Sequence, residues 1–156
     1  MSEYSKQIAD LLIDHCISKG YVYDFYAEKG AINMRFALKN KLSSVRFYIR
    51  IKDRFYVSYC YIDMHCEPEH RTEVAKYLTM ANYGLYRGNF EMDLSDGGIR
   101  YKYLVDCSFC MPTQSMIDES FGIPISMVER YGNELVKIML GIQTAEAGIK
   151  IAESVS

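Results

Sequence analysis

Apolar residues change their spacing repeatedly along this chain, and each change predicts an element boundary. From Ser2 to about Lys19, Tyr4, Ile8, Leu11, Leu12 and His15 recur at helical spacing. They predict a first helix with one buried stripe, capped by Ser2 and closed by Gly20 in the C′ position. From Tyr21 the period falls to two. Tyr23, Phe25 and Ala27 alternate with Asp24, Tyr26 and Glu28, Lys29-Gly30 turns the chain, and Ile32, Met34, Phe36 and Leu38 alternate with Asn33, Arg35, Ala37 and Lys39. That is a hairpin. A second pair follows, with Val45, Phe47, Ile49 and Ile51 against Arg46, Tyr48, Arg50 and Lys52, and a return from Phe55 to Ile62 after Asp53-Arg54. The return is apolar on both faces apart from Tyr and Ser hydroxyls, which predicts a central strand. Pro68 suits a first helical turn, and Val74, Tyr77, Leu78, Ala81 and Leu85 then share a stripe that Gly84 ends.

The stretch from Asn82 to Tyr103 predicts a further hairpin around Asp96-Gly97, because a two-residue type I′ turn needs two residues at positive φ. Counting outward sets Leu94 opposite Ile99, Met92 opposite Tyr101 and Phe90 opposite Tyr103 on a buried face. On the wet face it sets Asp93 opposite Arg100 and Glu91 opposite Lys102. After Asp106 the pattern is helical again. Pro112 starts a short helix ending at Gly122, Pro124 starts a longer one ending at Gly141, and Thr144 caps a last short helix. Val128, Tyr131, Leu135, Ile138 and Met139 form the stripe of the longer helix. The expectation is one α+β domain over residues 1–156, ordered α-β-β-β-β-α-β-β-α-α, with an antiparallel sheet covered by helices on one face.

Asn82-Tyr83, the run Gly88-Asn89-Phe90-Glu91-Met92-Asp93-Leu94, and Asp96-Gly97-Gly98-Ile99-Arg100-Tyr101 together resemble the central motif of the YbjN-domain family. Gly141 followed by Thr144-Ala145-Glu146-Ala147-Gly148-Ile149 is similar to the closing segment of that family. Its members are bacterial proteins described as candidate sensory-transduction regulators, and their fold is similar to that of type III secretion chaperones. The resemblance implies a non-enzymatic role as a regulator or chaperone-like adaptor that binds another polypeptide. It also implies a homodimer, whose second subunit would pack on surplus apolar stripes of the helix from Pro68 or that from Pro124.

Composition narrows the picture further. A length of 156 residues with 49% hydrophobic and 24% charged residues fits one globular domain. Five cysteines and no apolar leader in the opening Met-Ser-Glu-Tyr-Ser-Lys predict reduced thiols in a cytoplasm. No run is long enough to span a bilayer, so no membrane partner is expected. Fourteen Tyr with no Trp predict rings lining a surface groove.

Charge is distributed unevenly. Lys29, Arg35, Lys39, Lys41, Arg46, Arg50, Lys52 and Arg54 face only Asp53 over residues 29–54, inside a chain of net charge −2. Alternation gathers Arg35, Arg46, Tyr48 and Arg50 on one sheet face. That face is either simply wet, or binds an acidic or extended polypeptide, or binds single-stranded nucleic acid stacked on Tyr. A pI near 5.9 is low for a nucleic-acid domain and favours the polypeptide.

Catalytic signals are weak. Cys107-Ser108-Phe109-Cys110 has the spacing of a thiol redox pair, and Cys66 with His70 could complete a zinc site with it. The alternative for all four is structural: buried small thiols at strand ends and an exposed first-turn histidine. His15 on the apolar stripe reads as a core histidine, His65 has no partner that can be named, and Glu91 and Asp93 face cations rather than each other. Neither a nucleophile elbow nor a phosphate loop is present. No catalytic residue, cofactor or metal is therefore expected.

Overall fold

In the computed structural model, which describes residues 3–154, the elements follow the expected order. Helix α1 (Lys6–Lys19) is capped by Ser5, whose hydroxyl accepts from the Ile8 amide at 3.2 Å, and closed by Gly20 at φ 72°. The expected cap, Ser2, lies outside the described residues. Tyr4 precedes the helix and its hydroxyl donates to the Ala27 carbonyl at 2.6 Å. Strands β1 (Tyr23–Tyr26), β2 (Ala31–Ala37), β3 (Ser44–Ile51) and β4 (Phe55–Ile62) form an antiparallel meander. A single 3-10 turn, Pro68–His70, leads into α2 (Arg71–Tyr83), and β5 (Asn89–Met92) and β6 (Ile99–Asp106) follow.

The six strands lie in the order β1-β2-β3-β4-β6-β5, so β4 is central, as its two apolar faces require. One face carries Ile32, Met34, Val45, Phe47, Ile49, Ile51, Tyr56, Cys60, Ile99 and Tyr101, all buried beneath the helices. The other face carries the polar alternates and no helix.

The β5–β6 hairpin departs from the expected register by two residues: Phe90 pairs with Tyr101, Glu91 with Arg100 and Met92 with Ile99. Side chains in the turn outcompete the two-residue geometry. Asp93 Oδ1 accepts from the Ser95 amide at 2.9 Å and Asp96 Oδ1 from the Gly98 amide at 2.7 Å, while the Asp93 amide closes on the Gly98 carbonyl at 2.9 Å. Residues 93–98 therefore all lie in the connection, with the turn itself at 94–96. A slip of two keeps every side chain on its face, so Phe90, Ile99, Tyr101 and Tyr103 stay buried. Leu94 does not join them and is 66% exposed at the tip. Asp93 no longer faces Arg100.

The two helices expected around Pro112 and Pro124 are one, α3 (Gln114–Met139), with Pro124 in its interior and the Thr113 hydroxyl accepting from the Met116 amide at its start. Interior proline costs about 3 kcal/mol. Burying Phe121 and Val128 alone returns about 3 to 6 kcal/mol, and Phe121 stacks on Phe47 with ring centroids 4.8 Å apart. The packing wins, and the helix runs on. Helix α4 (Ala145–Ser154) closes the layer, its Ala147 amide bonded to the Thr144 hydroxyl at 3.2 Å. No helix among the described residues is long and apolar enough to cross a membrane.

Candidate docking surface

Antiparallel pairing lines the uncovered face into rows that run across the strands. One row is Arg35, Arg46, Tyr61, Arg100 and Glu91, and the next is Asn33, Tyr48, Tyr59, Lys102 and Asn89. Within them cations stack on rings. The Arg46 guanidinium lies 4.4 Å from the Tyr61 centroid and 5.5 Å from that of Tyr48, and Arg100 lies 4.4 Å from that of Tyr59. Arg100 also donates to the Tyr61 hydroxyl at 3.0 Å. The side chains hold one another in place.

The cations of this face are not equivalent. Arg35 pairs with Asp63 and donates to the Ser44 hydroxyl at 2.9 Å, which removes it from the free patch that the sequence predicts. Arg100 and Lys102 share Glu91 at 2.8 and 2.7 Å. Burial raises the Glu91 pKa, but hydrogen bonds from Lys102 and Arg100 outweigh it and hold the carboxyl below its ordinary value. Among the described residues the one hydrogen bond of the Arg46 guanidinium is to the Asn33 side-chain carbonyl, at 3.4 Å. Arg50 has no ion-pair partner among the described residues, and its buried Nε has no hydrogen-bond acceptor. Beside Arg50 in the next row lie Val57 and Leu104, the latter 56% exposed. At the end of the face where β4 leaves the sheet, a pocket of about 440 Å³ opens between Arg46, Tyr61, Arg100, His65 and Asp96.

Arg46, Tyr48 and Arg50 thus stand together as the alternation of β3 predicts. Sequence reasoning missed Tyr59, Tyr61, Arg100 and Lys102. The signal for them is the alternation of β4 and β6, and it becomes readable only once those two strands are known to be neighbours.

The two halves of the zinc set considered from the sequence are not brought together. Phe55 pairs with Asp106 and Ile62 with Ile99, so the chain exits toward Cys66 and toward Cys107 lie at opposite ends of the sheet. That is a strand length of about 24 Å. The Cys66 amide bonds the Gly97 carbonyl at 2.9 Å, whereas the Cys107 amide bonds the Arg54 carbonyl at 2.7 Å. His70 packs instead against Gly141 at the junction of α3 and α4. Among the described residues no three His, Cys, Asp or Glu side chains are grouped to hold a metal. Cys110 is exposed, but burial, reinforced by Asp106 and Cys110, pushes the Cys107 thiol up to about 11. An attacking thiolate needs the opposite shift.

His15 is buried between α1 and α3, 3.0 Å from Gln114 Nε2 and 3.7 Å from Asp118 Oδ1, with the Phe121 ring 4.7 Å away. Its surroundings are those of a packing residue. His65 is exposed, its Nδ1 3.2 Å from the Asp96 carbonyl oxygen.

The stripes expected to receive a second subunit are consumed within the chain. Val74, Tyr77, Leu78 and Ala81 of α2, and Val128, Tyr131, Leu135, Ile138 and Met139 of α3, are buried. The Tyr77 hydroxyl donates to the Tyr131 carbonyl at 2.7 Å.

No protein-family model matches this chain, and no curated protein matches it.

Proposed function

We propose that this protein acts without catalysis, as a regulator or chaperone-like adaptor of the YbjN kind that docks a partner polypeptide on the uncovered face of its sheet. The supporting observation is the interlocked array of Arg46, Tyr48, Tyr59, Tyr61 and Arg100. Tyr and Arg are the residue types that carry most interface energy. Here their rotamers are already fixed by stacking, so docking loses little side-chain entropy.

The same stacking argues against single-stranded nucleic acid. Bases need open ring faces, and the rings of Tyr59 and Tyr61 each carry an arginine 4.4 Å from the centroid. The net charge of −2 adds repulsion.

The test compares the polypeptides that co-purify with the wild-type chain and with the double variant Arg46→Glu/Arg50→Glu. Partners bound to the wild type should be lost from the variant, while the thermal transition moves by less than about 5 °C. The same set of partners on both proteins would show that docking occurs elsewhere. The homodimer that the resemblance implies is tested by sedimentation at micromolar concentration, where a species of 18.0 kDa alone would rule it out.

A further inference from the structure

We infer that the docked segment is acidic and extended, with two carboxylates four residues apart and an apolar side chain midway between them. This rests on the docking reading above and specifies its ligand.

Arg46 and Arg50 sit on the same strand and the same face, with Tyr48 between them. Four residues of β-strand span about 13 Å. An extended chain aligned with the strands has the same rise and the same alternation, so its residues i, i+2 and i+4 meet the sheet at matching intervals. Carboxylates at i and i+4 then fall on the two arginines, and residue i+2 falls on Tyr48 and its row neighbour Tyr59. Residues i+1 and i+3 point to solvent and are unconstrained. The spacing is symmetric, so either chain direction satisfies it.

Charge selects the occupant. Arg35 is paired with Asp63, and Arg100 and Lys102 share the single carboxylate of Glu91, so each of these three is in contact with a carboxylate. Arg46 has only a neutral acceptor, and the buried Nε of Arg50 has none. No carboxylate among the described residues pairs with the Arg50 charge, and one arriving from solvent would supply that counter-ion at the outer guanidinium nitrogens rather than at the buried Nε. Leu104, 56% exposed in the same row as Arg50, gives the aliphatic part of a Glu side chain an apolar surface to lie on.

Two labelled peptides of identical composition test this by fluorescence anisotropy. One carries Glu at i and i+4 with Leu at i+2, and the other carries Glu at i and i+3, which puts the carboxylates on opposite sides of an extended chain. The first should bind about fivefold tighter. Arg46→Gln and Arg50→Gln should each weaken it about fivefold, leave the second unchanged, and be mimicked by raised salt. The peptide comparison requires no protein variant, so it does not depend on how the variants fold. Equal affinity for the two peptides, binding of neither, or tighter competing binding of a single-stranded oligonucleotide would overturn the inference. Self-association of the protein that disappears in Arg46→Gln would do the same, assigning the face to a second copy. If the peptides fail while co-purifying partners still require Arg46 and Arg50, only the spacing is wrong. If both fail, the docking reading goes with it.

Discussion

Arg35 and Arg46 are directly opposed across β2 and β3 and carry the same charge. Like charges in that position repel, and the structure separates their fates by giving Arg35 a carboxylate and Arg46 the faces of two rings. Asp63→Asn should therefore release Arg35, tighten binding of the acidic peptide by about two- to fivefold, and lower stability by less than about 1 kcal/mol, as titration and denaturant unfolding would show. His15 gives a pH dependence of definite sign. Burial lowers its pKa, with Asp118 opposing and Lys19 assisting. The unfolded chain therefore binds the proton first. The stability from a neutral His15 is complete above the unfolded value of about 6.5 and is lost as the pH falls through the lowered folded value. Urea midpoints should drop between pH 7.5 and 5, with a slope from this group of at most about 1.4 kcal/mol per pH unit, and His15→Phe should flatten the curve. The sequence shows His15 on an apolar stripe, but Gln114 and Asp118 belong to a helix a hundred residues away, and no local pattern links them.

At the scale of elements, tertiary contacts redirect local rules at two places. Asp-Gly is a strong turn signal, yet Asp93 and Asp96 each bond an amide two residues on and stretch the connection to six residues. Gly97 remains essential there: it has φ 76°, and a Cβ would strike the backbone of Cys66. Gly97→Ala should cost more than about 2 kcal/mol, measured by thermal unfolding, because the left-handed conformation and the contact both penalise it. Gly122 and Pro124 read as the end of one helix and the start of the next, a boundary that the burial of α3 overrides, and nothing adjacent in sequence reveals that the sheet lies beneath it. Asn82 shows what a local reading can miss. Its side chain accepts from the Phe90 amide at 2.8 Å and donates to the Phe90 carbonyl at 3.0 Å, occupying the outer edge of β5. Edge strands left open recruit other chains. Asn82→Ala should lower stability by about 1 to 3 kcal/mol and raise aggregation during refolding, detectable by light scattering.

For the whole molecule, hydrophobic periodicity was enough to read the order of elements, the central place of β4 and the helix-covered face. The proposed docking face was legible only on β3, because its other half arrives from β6 through a pairing that joins residues 55–62 to residues 99–106. Sequence alternation states which side of a strand is polar, but not which strand lies next to it. Other ladders in the sheet connect consecutive strands; β4 with β6 is the seam between the meander and the β5–β6 hairpin. Arg46, Tyr48, Tyr59 and Tyr61 stand on one side of that seam, and Arg100, Lys102 and Glu91 on the other. A ligand that binds only the folded chain should raise the midpoint of thermal unfolding in proportion to the logarithm of its concentration above Kd, whichever side of the seam it touches. Because Tyr59 and Tyr61 receive Arg100 only where the hairpin is paired with the meander, a partly melted chain would offer a partner a looser array, and recognition would double as a check that the fold is finished.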